Sequence, residues 1–308
     1  MKKQQLASGL MLALTALIWG AAFVAQSVGM DHVGPLTFNG ARNILAALFL
    51  IPVIKLMDRR AVQRGQTPAK PRTKEERSLL LRGGIACGLL LTAATTVQQM
   101  GIQHASVGKA GFITALYIVI VPVLGTLFLH QRSGPQVWAG VALALVGLYL
   151  LCMNGSLSLG RGEWLLLLSS LLFSLHILVI DRYSPLVDGT RLSCLQFVVV
   201  ALICVPMCIL IERPALADVL AAWGPLLYAG ILSSGVGYTL QIVAQKDVSP
   251  TLASLILSLE SVFSVLAGWL LLHQSMSGKE LLGCCLMFGA ILLAQLPSKS
   301  KAAGAEAL

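Results

Sequence analysis

The sequence predicts an all-α polytopic membrane protein, with ten transmembrane helices arranged as two inverted five-helix repeats. Three observations lead there. The 308-residue chain is 56% hydrophobic and 11% charged, with a mean hydropathy of +0.83, whereas a soluble domain carries roughly a quarter charged residues. Apolar stretches of about 20 residues, each enough to cross roughly 30 Å of hydrocarbon, recur along the whole chain. The second half also repeats the first.

The repeat runs at two offsets. At 143 positions Thr96 meets Thr239, Gln98 meets Gln241, Ser106 meets Ser249, Gly125 meets Gly268, His130-Gln131 meets His273-Gln274 and Gly140 meets Gly283. At 154 positions Arg42 meets Gln196, Ala47 meets Ala201 and Pro52 meets Pro206. The offsets differ by 11, so the first copy carries an 11-residue insertion between its second and third helices. A duplicated unit with an odd number of spans inserts its copies in opposite orientations, which is how many secondary transporters place a site between two halves. The expected organisation is a first five-helix repeat over 1–153, an inter-repeat loop over 154–162, a second repeat over 163–296 and a cytoplasmic tail over 297–308.

The spans fall near 7–29, 36–57, 79–101, 106–129, 135–153, 163–182, 190–211, 223–244, 250–272 and 278–296. The first follows Lys2-Lys3 but is too long for a signal-peptide core and holds Trp19 in its middle, so it reads as an uncleaved helix. Gly34-Pro35 opens the second span, which carries Arg42 and Pro52. The third holds a Gly84/Gly88 close-packing pair and Gln98-Gln99. The fourth carries Tyr117 and Pro122. Gly134-Pro135 opens the fifth span, and Asn154-Gly155 closes it; the Asn154-Gly155-Ser156 sequon reads as a turn. His176 lies in the sixth span, and Gln196 and Pro206 in the seventh. Gly224-Pro225 opens the eighth, with Tyr238 and Gln241, and Ser249-Pro250 opens the ninth, with Glu260. The tenth includes Cys284-Cys285. All seven cysteines lie in or beside apolar segments without zinc-ligand spacing, and read as helix packing.

The net charge of +9 belongs to loops and sets topology rather than binding nucleic acid. With a cytoplasmic N-terminus, 17 Lys and Arg fall on the cytoplasmic side and four on the other, with Arg42 inside a span. The expected location is a bacterial inner membrane with both termini cytoplasmic. The basic loop 58–78 reads as a topological determinant, with anionic lipid contact as the alternative.

Ionisable and amide groups inside spans are the candidates for chemistry, because each is costly in hydrocarbon. Glu260 stands near the middle of the ninth span. Desolvation favours the neutral form of a carboxyl, and a carboxyl titrating near neutrality suits a proton-coupled carrier. The structural alternative is a bond to a broken helix or to Arg42. Tyr117 is the repeat partner of Glu260 and either faces the same cavity or packs. Arg42 either binds a substrate carboxylate or phosphate, or snorkels outward. Gln98, Gln99 and Gln241 form a polar layer with Tyr238, serving either substrate or helix association, and Gln196 is the partner of Arg42. Trp19, which meets Phe173 at offset 154, and His176 either wall a cavity or pack. Pro122, Pro52 and Pro206 are candidate hinges. His130, His273 and Lys109 lie at span ends. The chain has no P-loop, dinucleotide fingerprint or metal-site spacing, and its short loops offer no aqueous catalytic pocket, so neither a cofactor nor an enzyme is expected.

Several stretches resemble a known family. Gly111-Phe112-Ile113-Thr114-Ala115-Leu116-Tyr117-Ile118-Val119-Ile120-Val121-Pro122 is similar to the fourth helix of EamA-type permeases of the drug/metabolite transporter superfamily. Gly237-Tyr238-Thr239-Leu240-Gln241, Ser258-Leu259-Glu260-Ser261-Val262-Phe263, Trp19-Gly20 and Arg42 match as well. The resemblance implies a ten-helix inverted-repeat fold around a central cavity, and export of amino acids or other metabolites by proton coupling or exchange. Two departures stand out. Ser261 replaces the proline that often follows the glutamate of the ninth helix. His130-Gln131 and His273-Gln274 replace Gly-Glu at the ends of the fourth and ninth helices, which removes acidic groups.

The resulting expectation is a secondary active exporter of small organic metabolites such as amino acids, alternating access around a midplane cavity. Arg42, Gln98, Tyr117, Gln196, Tyr238, Gln241, Glu260, Trp19 and His176 are its candidate substrate-binding residues, and Glu260 its candidate proton-coupling group. Expected partners are a small-molecule solute, protons and the lipid bilayer, with the chain a monomer or weak homodimer. The rivals are an uptake permease or uncoupled exchanger of the same solutes, and a non-transporting scaffold or channel.

Overall fold

The computed structural model describes residues 3–71, 73–105, 107–129, 134–152, 160–272 and 277–295. The chain is helical throughout, with no strand among the described residues. The helices are α1 (Lys3–Met30), α2 (Pro35–Gln63), α3 (Lys74–Ile102), α4 (Val107–Thr114), α5 (Tyr117–Leu129), α6 (Pro135–Cys152) and α7 (Arg161–Tyr183) in the first part of the chain. There follow α8 (Gly189–Ile211), α9 (Leu216–Ala221), α10 (Trp223–Leu227), a π-helical segment (Tyr228–Tyr238), α11 (Thr239–Gln245), α12 (Pro250–Leu257), α13 (Glu260–Leu272) and α14 (Gly278–Gln295). Eight helical stretches among the described residues are long and apolar enough to cross a membrane, and Pro135–Leu150 and Leu281–Ala294 are shorter apolar helices.

Local chemistry accounts for the ends. Pro35 sits in the first turn of α2, where its missing N–H costs nothing. Thr73 and Glu76 form a capping box that starts α3 five residues earlier than the hydropathy suggests. Asp188 and Ser249 cap α8 and α12 with their own side chains. Pro52, Pro122 and Pro206 all lie inside helices.

Two expected spans are broken. The fourth divides into α4 and α5, and the ninth into α12 and α13, each through one tight turn with i→i−3 bonds such as Ile118 to Ala115 and Ser261 to Ser258. The two breaks lie 143 residues apart, so both copies bend at the same place. The eighth span is also irregular, because 11 of its residues form the π segment. Gly230 lies in that segment against α2, where a Cβ would stand 2.9 Å from the Arg42 carbonyl oxygen. The residues His130, Gln131, Asn154–Ser156, His273, Gln274 and the tail 297–308 lie outside the described residues.

Repeat-related helices pack antiparallel. Thr37 and Gly40 of α2 meet Glu212 and Val205 of α8, whereas Ala47 and Asp58 meet Cys194 and Arg191. In the α6–α14 pair, Gly140 lies against Ala290 and Ala294, and Gly147 against Gly283 and Met287. The glycines let these backbones approach closely, as small residues do between helices in lipid.

Candidate functional site

The helix breaks bring together the two residues that the repeat pairs. Tyr117 begins α5 and Glu260 begins α13. The Tyr117 hydroxyl donates to Glu260 Oε1 at 2.8 Å, and both side chains are buried. A carboxylate in the first turn of a helix also suits the positive end of its dipole. Gly20 allows this approach from the side of α1, since a Cβ there would stand 2.8 Å from the Glu260 carbonyl oxygen.

Around this pair lies a cavity at the centre of the helices. Eight of the nine candidate substrate-binding residues line it: Trp19, Arg42, Gln98, Tyr117, His176, Tyr238, Gln241 and Glu260. The ninth, Gln196, stands behind the wall, its Oε1 3.0 Å from His176 Nε2. The lining follows the repeat. Trp19, Ala22 and Phe23 of α1 are matched at offset 154 by Phe173, His176 and Ile177 of α7, and Gln98 and Tyr117 at offset 143 by Gln241 and Glu260.

Aromatic rings close one side. Trp19 and Tyr238 have ring centroids 4.6 Å apart, and His176 meets the Tyr238 edge at 6.0 Å. The Trp19 indole donates to the Ser233 carbonyl at 3.1 Å, Thr15 to that of Gly237 at 3.2 Å, and Tyr228 to that of Ile18 at 2.9 Å. These three bonds tie α1 to the irregular segment, whose glycine at 237 leaves room for the indole. The cavity encloses about 30 Å³, space for a water or two. An organic solute enters only when these walls part.

Arg42 is 3% exposed, so it does not snorkel. Its Nη1 lies 3.4 Å from Gln26 Oε1, its guanidinium stands 5.9 Å from the Phe38 ring, and its Nε has no partner. Among the described residues no carboxylate pairs with it, and Glu260 binds Tyr117 instead. A buried cation without a counter-charge is thus held on the wall of a cavity that also presents a carboxyl. Gln98 Nε2 reaches Thr114 Oγ1 at 3.4 Å, and Gln241 leaves its Oε1 unbonded. Gln99 is fully buried away from the cavity. Among the described residues no cluster of metal-ligating side chains is present.

Residue-by-residue reading of the sequence missed Gln26, Ala22, Phe23, Thr114, Ile177 and Ser233. The signal for three of them was spacing. Ala22, Phe23 and Gln26 follow Trp19 at three, four and seven positions, which is one face of a helix.

The EamA-like transporter family model matches residues 7–153 and again 160–296. The chain belongs to the EamA-like transporter family. Among relatives of this EamA-like transporter, an uncharacterized transporter of Archaeoglobus fulgidus is 27% identical over 95% of this chain and 87% of its own length. The uncharacterized inner membrane transporter YedA of Escherichia coli K12 is 23% identical over 91% of this chain and 88% of its own. A protein of Streptantibioticus cattleyicolor named probable terminal-alkyne amino-acid exporter is 22% identical over 80% of each chain. A protein of known crystal structure shares the fold with a TM-score of 0.73 at 16% identity, covering 94% of this chain and 96% of its own. The chain is therefore a multi-pass membrane transporter and not an enzyme.

Proposed function

We propose that this EamA-like transporter is a secondary active exporter of small organic metabolites that carry a carboxylate, amino acids above all, and that it alternates access around the central cavity. The observation that carries this reading is Arg42, a buried guanidinium with no carboxylate partner among the described residues, on a cavity wall that Glu260 shares. Arg42 receives the carboxylate of the solute, and the amides of Gln98 and Gln241 complete its polar contacts. Trp19, Tyr117, His176 and Tyr238 enclose it, with Gln196 orienting His176. Glu260 exchanges a proton with the solute-facing space, which couples export to a proton gradient. Pro122, inside α5 beyond one of the helix breaks, serves as a hinge. The relative named as an amino-acid exporter supports the solute class.

The proposed architecture is ten spans in two inverted five-helix repeats, over 1–153 and 163–296 with the loop 154–162 between them. Support comes from the double family match, the antiparallel packing of α2 on α8 and α6 on α14, and the shared break positions. The protein works in the inner membrane as a monomer or weak homodimer, with both termini and the tail 297–308 cytoplasmic.

The test is a proteoliposome loaded with amino acids, nucleosides and small organic acids, given a proton gradient and analysed by mass spectrometry. Selective, gradient-dependent movement of carboxylate-bearing solutes is expected. Equal movement of carboxylate-free analogues overturns the role of Arg42. Gradient-independent movement overturns that of Glu260.

A further inference from the structure

The α2–α8 pair is held at both ends by carboxylates that the repeat relates. Asp58 near the end of α2 accepts from Arg191 Nη2 at the start of α8, at 2.6 and 2.7 Å. Glu212, which ends α8, accepts from the Leu36 amide at 2.8 Å, the Thr37 amide at 2.8 Å and the Thr37 hydroxyl at 2.6 Å at the start of α2. At offset 154 Asp58 becomes Glu212, and Thr37 becomes Arg191. The helix starts are related in the same way. Asp188 caps α8 with its own carboxylate, which accepts from the Arg191 amide at 2.9 Å. Its counterpart at offset 154 is Gly34, which has no capping group. A Cβ there would collide with the Glu212 carboxylate. The acid from the partner helix takes the place that a local cap would fill.

Between the clamps the two helices stay in close contact. A Cβ on Gly40 would stand 3.1 Å from Val205 Cγ2 and 3.6 Å from Cys204 Cβ, and Cys194 Sγ lies 3.9 Å from the Ala47 carbonyl. Parting one end would break a part-buried charged clamp and also open this packed seam.

We propose that α2 and α8 form a strut that stays closed throughout transport, with Asp58 and Glu212 as positioning residues at its two ends. The strut holds Arg42 and Gln196 fixed. The broken helices α4–α5 and α12–α13, which carry Tyr117 and Glu260, move against it. Access then alternates by bending at the two breaks rather than by opening the α2–α8 seam. The strut concerns which helices move, and it stands whichever solute is carried.

The experiment uses Gly40→Cys in the full-length protein, whose new Cβ falls 3.6 Å from that of the native Cys204, inside the usual disulfide range of about 3.5–4.5 Å. The protein is reconstituted, oxidised with copper phenanthroline and assayed with the twenty amino acids as a mixture, before and after reduction. Gly40→Cys with Cys204→Ser is the control. Transport within twofold of the reduced protein is expected. Loss on oxidation that reduction restores overturns the strut and makes this seam a gate. If the glycine variant is inactive when reduced, Asp58→Cys with Arg191→Cys places the link at the other end with the same two outcomes. Hydrogen exchange of the wild-type protein needs no solute. The Leu36 and Thr37 amides are expected to stay equally protected at pH 5 and pH 8 under an imposed gradient or none. A fall in their protection factor, with the intrinsic pH dependence of amide exchange divided out, in either state overturns the proposal. Absence of amino-acid transport with protected amides instead counts against the solute class alone.

Discussion

Replacing Glu212 with alanine tests how much a helix start depends on a residue 176 positions away. The carboxylate accepts three short bonds from Leu36 and Thr37, and Gly34 supplies no cap of its own. A hydrogen bond to a charged group contributes about 1.5–3 kcal/mol, and loss of an ordinary N-cap costs about 1 kcal/mol. The three bonds are not additive, because the freed amides at the end of α2 regain water. The net loss is about 2–3 kcal/mol, below the sum of three separate charged bonds. At about 2–4 °C per kcal/mol, the melting midpoint of the purified protein in detergent should fall by about 4–12 °C. Glu212→Gln keeps one acceptor oxygen and should lose about half as much, since the remaining bonds are neutral. Gly34→Ala should mimic the alanine variant by expelling the carboxylate. Native tryptophan fluorescence during heating reads all three. A Glu212→Ala midpoint within about 1 °C of wild type would refute the capping argument, since even an ordinary N-cap contributes more.

Two further outcomes follow from the cavity. Glu260→Gln keeps an oxygen to accept the Tyr117 hydroxyl but cannot ionise, so gradient-driven accumulation in proteoliposomes should fall to the no-gradient level while solute exchange persists. Retained gradient dependence in that variant would remove Glu260 from the coupling. Gly237→Ala puts a Cβ 2.7 Å from Trp19 Nε1, displaces the indole from the Ser233 carbonyl and should cost about 1–3 kcal/mol as overpacking does. A shifted tryptophan emission and a lowered melting midpoint check it, and an unchanged spectrum would count against it.

The helix positions were legible because hydropathy is a property of each stretch alone. The breaks were not, because a break inside a hydrocarbon-buried span changes backbone geometry without changing composition. Residues 106–129 and 250–272 read as unbroken, and only Pro122 and the serines around Glu260 hinted otherwise. The π segment was equally hidden, since its close contacts involve Trp19, Leu45 and Phe49 on distant helices. Polar and aromatic residues of the cavity stood out against apolar spans, which is why Arg42, Gln98 and Gln241 could be named. Ala22, Phe23 and Ile177 did not stand out by residue type, because an apolar side chain looks the same on a cavity wall as in a packed core; only the spacing from Trp19 pointed to the first two. Partner choice also escaped the sequence. Glu260 could be matched equally to Arg42 by charge and to Tyr117 by the repeat, and only the meeting of α5 with α13 gives it to Tyr117.

Arg42 lets binding and stability be separated. A cation inside a span is costly, up to about 2.5–3.5 kcal/mol at its centre on insertion scales. Arg42 stands about two turns into α2, is 3% exposed, and has no acid partner among the described residues. Gln26 offers one long bond, and the Phe38 ring stands 5.9 Å away. If Arg42 served only to hold helices together, its replacement would destabilise the empty protein. If it waits for an anionic solute, the cost is carried in the empty state and recovered on binding, as happens when a site is built at the expense of the fold. Arg42→Gln should therefore raise the melting midpoint of the solute-free protein, or leave it unchanged, while KM for a carboxylate-bearing solute rises by about tenfold to a hundredfold, the range expected when a charged hydrogen bond of about 1.5–3 kcal/mol is lost. The solute should also stabilise wild type against heat and not the variant. A lower midpoint with KM unchanged would reverse the assignment and make Arg42 a structural lock.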